Sequence, residues 1–518
     1  MLDAVPVEKV LGEVCSYLPA GVVQDACTFL VDTYTPDILR LLEDDATGDE
    51  VCAGLHLCTS FPTCHLWPLP KHRAALTPKL GGGKDAVARD ALGVAENPVQ
   101  ILKDLINRVA NLHEPLVDLD GDRFGVEPTL RGSSWRGGDC SDLDDAIYPG
   151  RMVSTHGPDV DHNCNGIKGV DPASGKAWED ELCGGEYAGL GLIVIGDSVG
   201  AHFDLPYQYF SAADINGTTF RKTPDVLYRA GNEFDKPYTS WGTGFVVDNR
   251  TDTPDMVSIY SLMLERNLCN HRDYQNTGVN GARSGAEAGG KTPLVKDIAR
   301  NQKKDKPATV IVELVGNDVC NSHTEVSRMT SVADFKANIL TILDDLDATL
   351  PPGSHVAFLG LAKGTILYDL MHNRTHPIGV PYTSVYDILN CLEISPCAGW
   401  LNNNATIRAA TQAHADALTA VYPEIITHGK NYTNFDMVYI SFADLIETML
   451  QTLPPDQQHL AINPVDSFHP SGLAQPILAK ALWDKLPESF KGPINPNNDR
   501  IRALFGGQSG YEWRLEGE

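Results

Sequence analysis

Between residues 186 and 485, short apolar runs alternate with longer stretches of helical periodicity. The runs cover 192–195, 309–314, 355–359 and 437–440, and the helical patterns cover 257–268, 331–346, 406–421 and 473–486. Short, largely apolar strands like these are expected to be buried. Interleaved with helices, they predict an α/β fold, a parallel sheet flanked by helices on both sides. In such a sheet, reactive side chains collect beyond the carboxyl ends of the strands.

The chain ends of these runs carry the chemistry. The first stops at Gly196-Asp197-Ser198 within LGLIVIGDSVGAHF, which presents a hydroxyl at a strand tip. Gly281 sits in NHRDYQNTGVNGARSG, a loop following the helical pattern 257–268. Gly316-Asn317-Asp318 ends the apolar run 310–315, and Asp466-Ser467-Phe468-His469 comes just before the last helical pattern. A serine hydroxyl at its free pKa is a poor nucleophile and needs a base within hydrogen-bond reach. His469 is the candidate base, and Asp466, three residues earlier, the group that fixes its tautomer. Backbone N–H groups of Ser198 and Gly281 and the Asn317 amide are candidate donors to an oxyanion. Asp197 is expected to bond nearby backbone, and His202 to be packed. The order Ser, Gly, Asn, His resembles the SGNH (GDSL-type) hydrolase family. That resemblance implies a catalytic Ser198, Asp466 and His469, with Ser198, Gly281 and Asn317 as the oxyanion hole.

The chain has 518 residues and a formal charge of −27. Such an acidic balance argues against a nucleic-acid partner, which needs basic surface. No run of 18 apolar residues marks a membrane-spanning helix. Part of the excess acid lies in 118–181, where Asp118, Asp120 and Asp122 alternate, Asp139, Asp142, Asp144 and Asp145 cluster, and Asp159, Asp161, Asn163 and Asn165 alternate. Carboxylates this close repel one another unless a cation balances them. Calcium takes roughly six to eight oxygens, and alternating Asp/Asn on tight loops can supply them. The stretch from Asp161 matches the first seven positions of a calcium loop, with Gly166 at the turn and the Ile167 carbonyl seventh. Phe124 holds the same seventh place after Asp118. The twelfth position after Asp161 is Pro172, so ligands must be shared between segments. The expected cofactor is structural Ca2+ in an irregular segment.

Twelve cysteines lack paired C-x-x-C zinc spacing. Five N-x-S/T sequons, at Asn216, Asn249, Asn373, Asn404 and Asn431, are candidate glycosylation sites. Together they favour an oxidising, secreted or lysosomal setting. Asp3, Glu8, Lys9 and Glu13 interrupt any signal-peptide core.

Residues 1–65 read as short amphipathic helices. The spacing of Cys15 and Cys27, then Cys52 and Cys58, resembles a saposin-like, lipid-binding module. In that family six cysteines form three bridges, and the first two lie on an opening helix. Here that helix is expected to be missing, so Cys15 and Cys27 pair while Cys52 and Cys58 lose their usual partners. Residues 66–112, with Gly81-Gly82-Gly83, read as a linker open to proteolysis. The organisation expected is therefore a saposin-like domain (1–65), a linker (66–112), calcium-binding loops (113–185) and the hydrolase domain (186–518).

This combination resembles the acyloxyacyl hydrolase family over nearly the whole chain. Its sharpest stretches are 128–140, 161–172, 196–203, 269–276, 316–320 and 464–470. The resemblance implies a lipase that removes secondary fatty acyl chains from the lipid A of bacterial lipopolysaccharide, working at a membrane or micelle surface through its saposin-like domain. It also implies a two-subunit, disulfide-linked mature form, with Cys64 joined to Cys391 or Cys397. The alternatives are a general SGNH phospholipase or esterase acting on glycerolipids, and a non-catalytic lipid-binding or transfer protein.

Overall fold

The computed structural model describes residues 113–153, 160–211, 232–245, 256–286 and 294–506 together with Arg229. Before these it describes 46–54 and 60–69, with Thr28, Thr35, Ile38, Leu39 and Leu41. The chain forms two compact units, one of residues 1–111, 207–228 and 374–395, the other of 112–206, 229–373 and 396–518.

The second unit is built on five parallel strands: β1 Gly191–Gly196, β2 Tyr274–Asn276, β3 Ala308–Glu313, β4 Ser354–Leu359 and β5 Phe435–Ile440, in the order β2-β1-β3-β4-β5. All four strands expected from the apolar runs are present. The fifth, β2, is too short and too polar (Tyr-Gln-Asn) to show as an apolar run, yet all three residues are buried.

Side-chain alternation along the strands assigns the two faces. Ile193, Ile195, Val310, Val312, Val356 and Phe358 pack on one side in a single cluster with Phe335, Ile339, Leu343, Leu418, Tyr422 and Ile425. Leu192, Val194, Ile311, Ala357 and Leu359 pack on the other with Ile259, Met263, Phe442, Leu445, Leu478 and Leu482. Each such burial is worth roughly 1.5–3 kcal/mol. The partners come from helices Val332–Thr349, Ala405–Thr419 and Val421–His428 on the first face, and from Ile259–Arg266, Phe442–Gln451 and Ala474–Lys485 on the second. Ser331 caps the longest of these by accepting from Asp334 N, and Ser258 and Ser261 form a reciprocal capping box at Ile259.

Strand order reverses about β1 and β3, so a crevice opens beyond their carboxyl ends. The acidic segment from 113 belongs to this same unit. Bridges Cys140–Cys164, Cys183–Cys269 and Cys320–Cys397 lie within it.

In the first unit, helix Gly48–Gly54 carries Asp49, whose carboxylate accepts from Leu66 N and Trp67 N at 2.7 and 2.8 Å. Cys64 is bonded to Cys391. Of the two partners left open for Cys64, Cys391 is therefore the one observed, and Cys397 pairs with Cys320. One expectation is corrected: Cys52 is disulfide-bonded rather than without a partner, and no described cysteine is free. Cys15, Cys27 and Cys58 lie outside the described residues, as do Asn216 and Asn249. No described helix is long and apolar enough to cross a membrane.

Candidate active site

β1 delivers Ser198 to the crevice. The turn after Gly196 is held by Asp197 Oδ1, which accepts from Val199 N at 2.9 Å, so Asp197 bonds local backbone as expected. His469 Nε2 lies 2.7 Å from Ser198 Oγ, across 271 residues of sequence. His469 Nδ1 lies 2.8 Å from Asp466 Oδ2. A carboxylate can only accept, so Nδ1 carries the hydrogen and Nε2 is left to accept from the serine. The other Asp466 oxygen accepts from Phe468 N and His469 N at 2.8 and 3.0 Å. Ser467 takes φ +52° to allow this tight loop. Phe203 and Phe468 pack on the His469 ring at 4.8 and 4.9 Å. Behind the loop, Asn463 accepts from Val465 N at 2.8 Å and donates to Asp204 Oδ1 at 2.7 Å.

Asn317 follows β3 and donates one amide hydrogen to Asp197 Oδ2 at 3.2 Å, leaving the second for another acceptor. Gly281 has φ +78° and lies in the loop that follows helix Ile259–Arg266 and the short strand β2. Val279 N ties this loop to Gly196 O at 3.1 Å. Arg131 Nη1 grips Gly278 O at 2.7 Å, and Asn280 Nδ2 lies 3.2 Å from Asp235 Oδ2. A Cβ on Gly278 would sit 3.0 Å from Asp197 O, so the close approach requires glycine there. His202 is buried at φ +57°, its Nδ1 3.1 Å from Thr239 Oγ1. Burial, with Lys236 nearby, pushes its pKa down to about 3, so it is a packed neutral histidine.

Beside these groups lies an apolar cleft. Asp197, Gly316 and Asn317 line it together with Val199, Leu367, Leu370, Trp400, Phe442, Ile446 and Met449. A hydroxyl bonded to an oriented imidazole, next to an apolar cleft, is an arrangement able to transfer acyl chains from esters.

Residues 192–482 match the model of the GDSL-like lipase/acylhydrolase family, and residues 2–92 that of the saposin-like domain. The chain is 37% identical over 531 residues to the acyloxyacyl hydrolase of Oryctolagus cuniculus, spanning 98% of this chain and 90% of that one. The Homo sapiens acyloxyacyl hydrolase is 36% identical over 529 residues, with 98% and 89% covered. The chain belongs to the acyloxyacyl hydrolase family. It is a carboxylic ester hydrolase, and its lipase domain carries Ser198, Gly281, Asn317, Asp466 and His469.

In this member of the family the acidic segment brings part of the expected donor set together. Carboxylate oxygens of Asp118, Asp120 and Asp122 lie within 4.8 Å of one another, and so do those of Asp120, Asp139 and Asp142. Asp120 Oδ2, Asp122 Oδ2 and Asp139 Oδ2 are buried without a hydrogen-bond partner. Burial and neighbouring carboxylates push Asp122 up to about 8 and Asp139 up to about 6. An all-oxygen anionic cluster with orphaned oxygens fits a divalent hard cation. Asp144 and Asp145 are exposed and outside these groups, and Asp159 is not among the described residues. Phe124 is buried against Tyr148, its N–H donating to Asp122 Oδ1.

The second loop turns on Asp161, whose carboxylate accepts from Asn165 N and Gly166 N, with Asn165 Oδ1 accepting from Ile167 N. Sequence reasoning missed Glu179. Its two oxygens lie 2.7 and 2.8 Å from the amide nitrogens of Asn163 and Asn165. It thus closes on the loop from helix Trp178–Cys183, where Lys306 Nζ pairs with its Oε1 at 3.1 Å. The usable signal was an acid on the next amphipathic segment, which only the fold brings back to the loop.

Proposed function

We propose that this protein is a serine lipase that hydrolyses acyloxyacyl ester bonds and releases secondary fatty acyl chains from lipid A of bacterial lipopolysaccharide. The observation that carries the reading is the hydrogen-bonded line Asp466–His469–Ser198 set beside an apolar cleft. Ser198 attacks the ester carbonyl while His469 takes its proton, and Asp466 stabilises the imidazolium. Ser198 N–H, Gly281 N–H and the free Asn317 amide hydrogen stabilise the oxyanion. His469 then protonates the departing hydroxyl of the primary 3-hydroxyacyl chain. Water, activated by the same imidazole, releases the fatty acid. The saposin-like domain presents the lipid from a membrane or micelle surface.

Calcium has a structural place in this reading. Asp118, Asp120, Asp122, Asp139 and Asp142 would hold one ion, and Asp161, Asn163, Asn165, the Ile167 carbonyl and Glu179 another. The ions neutralise buried carboxylates and fix the loops. Asn373, Asn404 and Asn431 are exposed and open to glycosylation, which suits a secreted or lysosomal protein. Mass spectrometry of lipid A after incubation tests the main reading. The expected product lacks its secondary acyl chains, and Ser198→Ala leaves lipid A intact. Equal fatty-acid release by both proteins, or cleavage of phospholipid but not of lipid A, overturns it.

A further inference from the structure

The strand that carries Asn317 contains an acid the mechanism does not use. Glu313 closes β3 opposite Gly196 and is 0% exposed in an otherwise apolar run. A carboxyl buried so completely is unfavourable unless hydrogen-bonded. Its Oε2 lies 3.3 Å from Asp197 N, which also donates to Glu313 O at 3.1 Å. Gly200 N–H donates to the same carboxyl. A Cβ on Gly196 or Gly200 would come within 2.6 or 2.7 Å of that oxygen, so both glycines make room for it. Glu313 Oε1 has no hydrogen-bond partner. Asp197, one bond further on, holds the Asn317 amide.

We propose that Glu313 is a positioning residue for ester hydrolysis: its carboxyl clamps the turn from Gly196 to Gly200 and, through Asp197, sets the Asn317 amide toward the oxyanion. Burial and the adjacent Asp197 carboxylate hold Glu313 well above the usual carboxylate range, so it works as a neutral acid. Glutamine has the same shape and the same pairing of donor and acceptor. Leucine has neither, and aspartate falls short by a methylene.

The test is steady-state hydrolysis of a p-nitrophenyl acyl ester by the full chain. Competent sites are counted with an alkyl phosphonate, so that unfolded protein is not scored as slow enzyme. The inference rests on Ser198 as nucleophile, and Ser198→Ala on the same ester reads that separately. Glu313→Leu and Glu313→Asp are expected to lower kcat per competent site roughly 30- to 100-fold with KM within about twofold. This is somewhat less than deleting an oxyanion donor outright. Both should also weaken binding of an alkyl boronate, which mimics the oxyanion. Glu313→Gln is expected within about fivefold of wild type. Wild-type kcat in the leucine and aspartate variants overturns the proposal, as does a glutamine variant as slow as leucine.

Discussion

The imidazole at His202, four residues beyond the nucleophile, is buried where protonation would be costly. Its pKa falls to about 3, from burial first and Lys236 second, against roughly 6.5 in an unfolded chain. A base depressed on folding adds stability that is complete above the unfolded value and is lost as pH falls toward the folded one. Between pH 7 and pH 5, the wild type should therefore lose about 2 kcal/mol more than His202→Asn, a residue that tolerates the left-handed backbone there. Urea midpoints at the two pH values measure this, and parallel losses would refute it. At this scale the sequence was most legible. Ser198, Gly281, Asn317, Asp466 and His469 stand at strand and loop ends whose spacing announces them, and the structure joins Ser198, His469 and Asp466 by short hydrogen bonds. Glu313 was not legible, because a lone acid inside the apolar run VIVELVG carries no pattern of its own, and only the fold brings its carboxyl against the turn after Gly196.

Among elements, apolar runs located four strands, but β2 escaped because it is stabilised by polar bonds rather than by apolar packing alone. Gln275 exchanges hydrogen bonds with Ala299 N and O at 2.8 Å, and Asn276 donates to Gly200 O at 2.8 Å. The acidic loops likewise owe their form to partners far along the chain. Arg131 pairs with Glu233 and reaches Gly278 O beside the Gly281 loop. The Cys140–Cys164 bridge staples the two acidic turns together. If calcium holds these turns, its removal should loosen the fold before it touches the chemistry. Chelation should lower the melting temperature by several degrees, while ester hydrolysis at room temperature persists and added calcium restores the melt. Immediate loss of turnover with unchanged melting would assign the ion to catalysis instead.

For the whole molecule, the disulfide between Cys64 and Cys391 matters most, because it spans 327 residues of sequence. Spacing alone could not choose between Cys391 and Cys397: two cysteines six apart near one helix end are equivalent until packing separates them. The fold does so by pairing Cys397 with Cys320, at the loop that carries Asn317. A cut in the glycine-rich stretch at 81–83 would leave Cys64 and Cys391 on different fragments, joined covalently by their bridge alone, because the other six cysteines beyond the cut pair among themselves. Limited proteolysis followed by electrophoresis should thus show one band without reductant and two with it. In Cys391→Ser the fragments should part under denaturing conditions without any reductant. Fragments of wild-type protein that separate unreduced would mean that the bridge does not form, and that the two-chain form rests on packing alone.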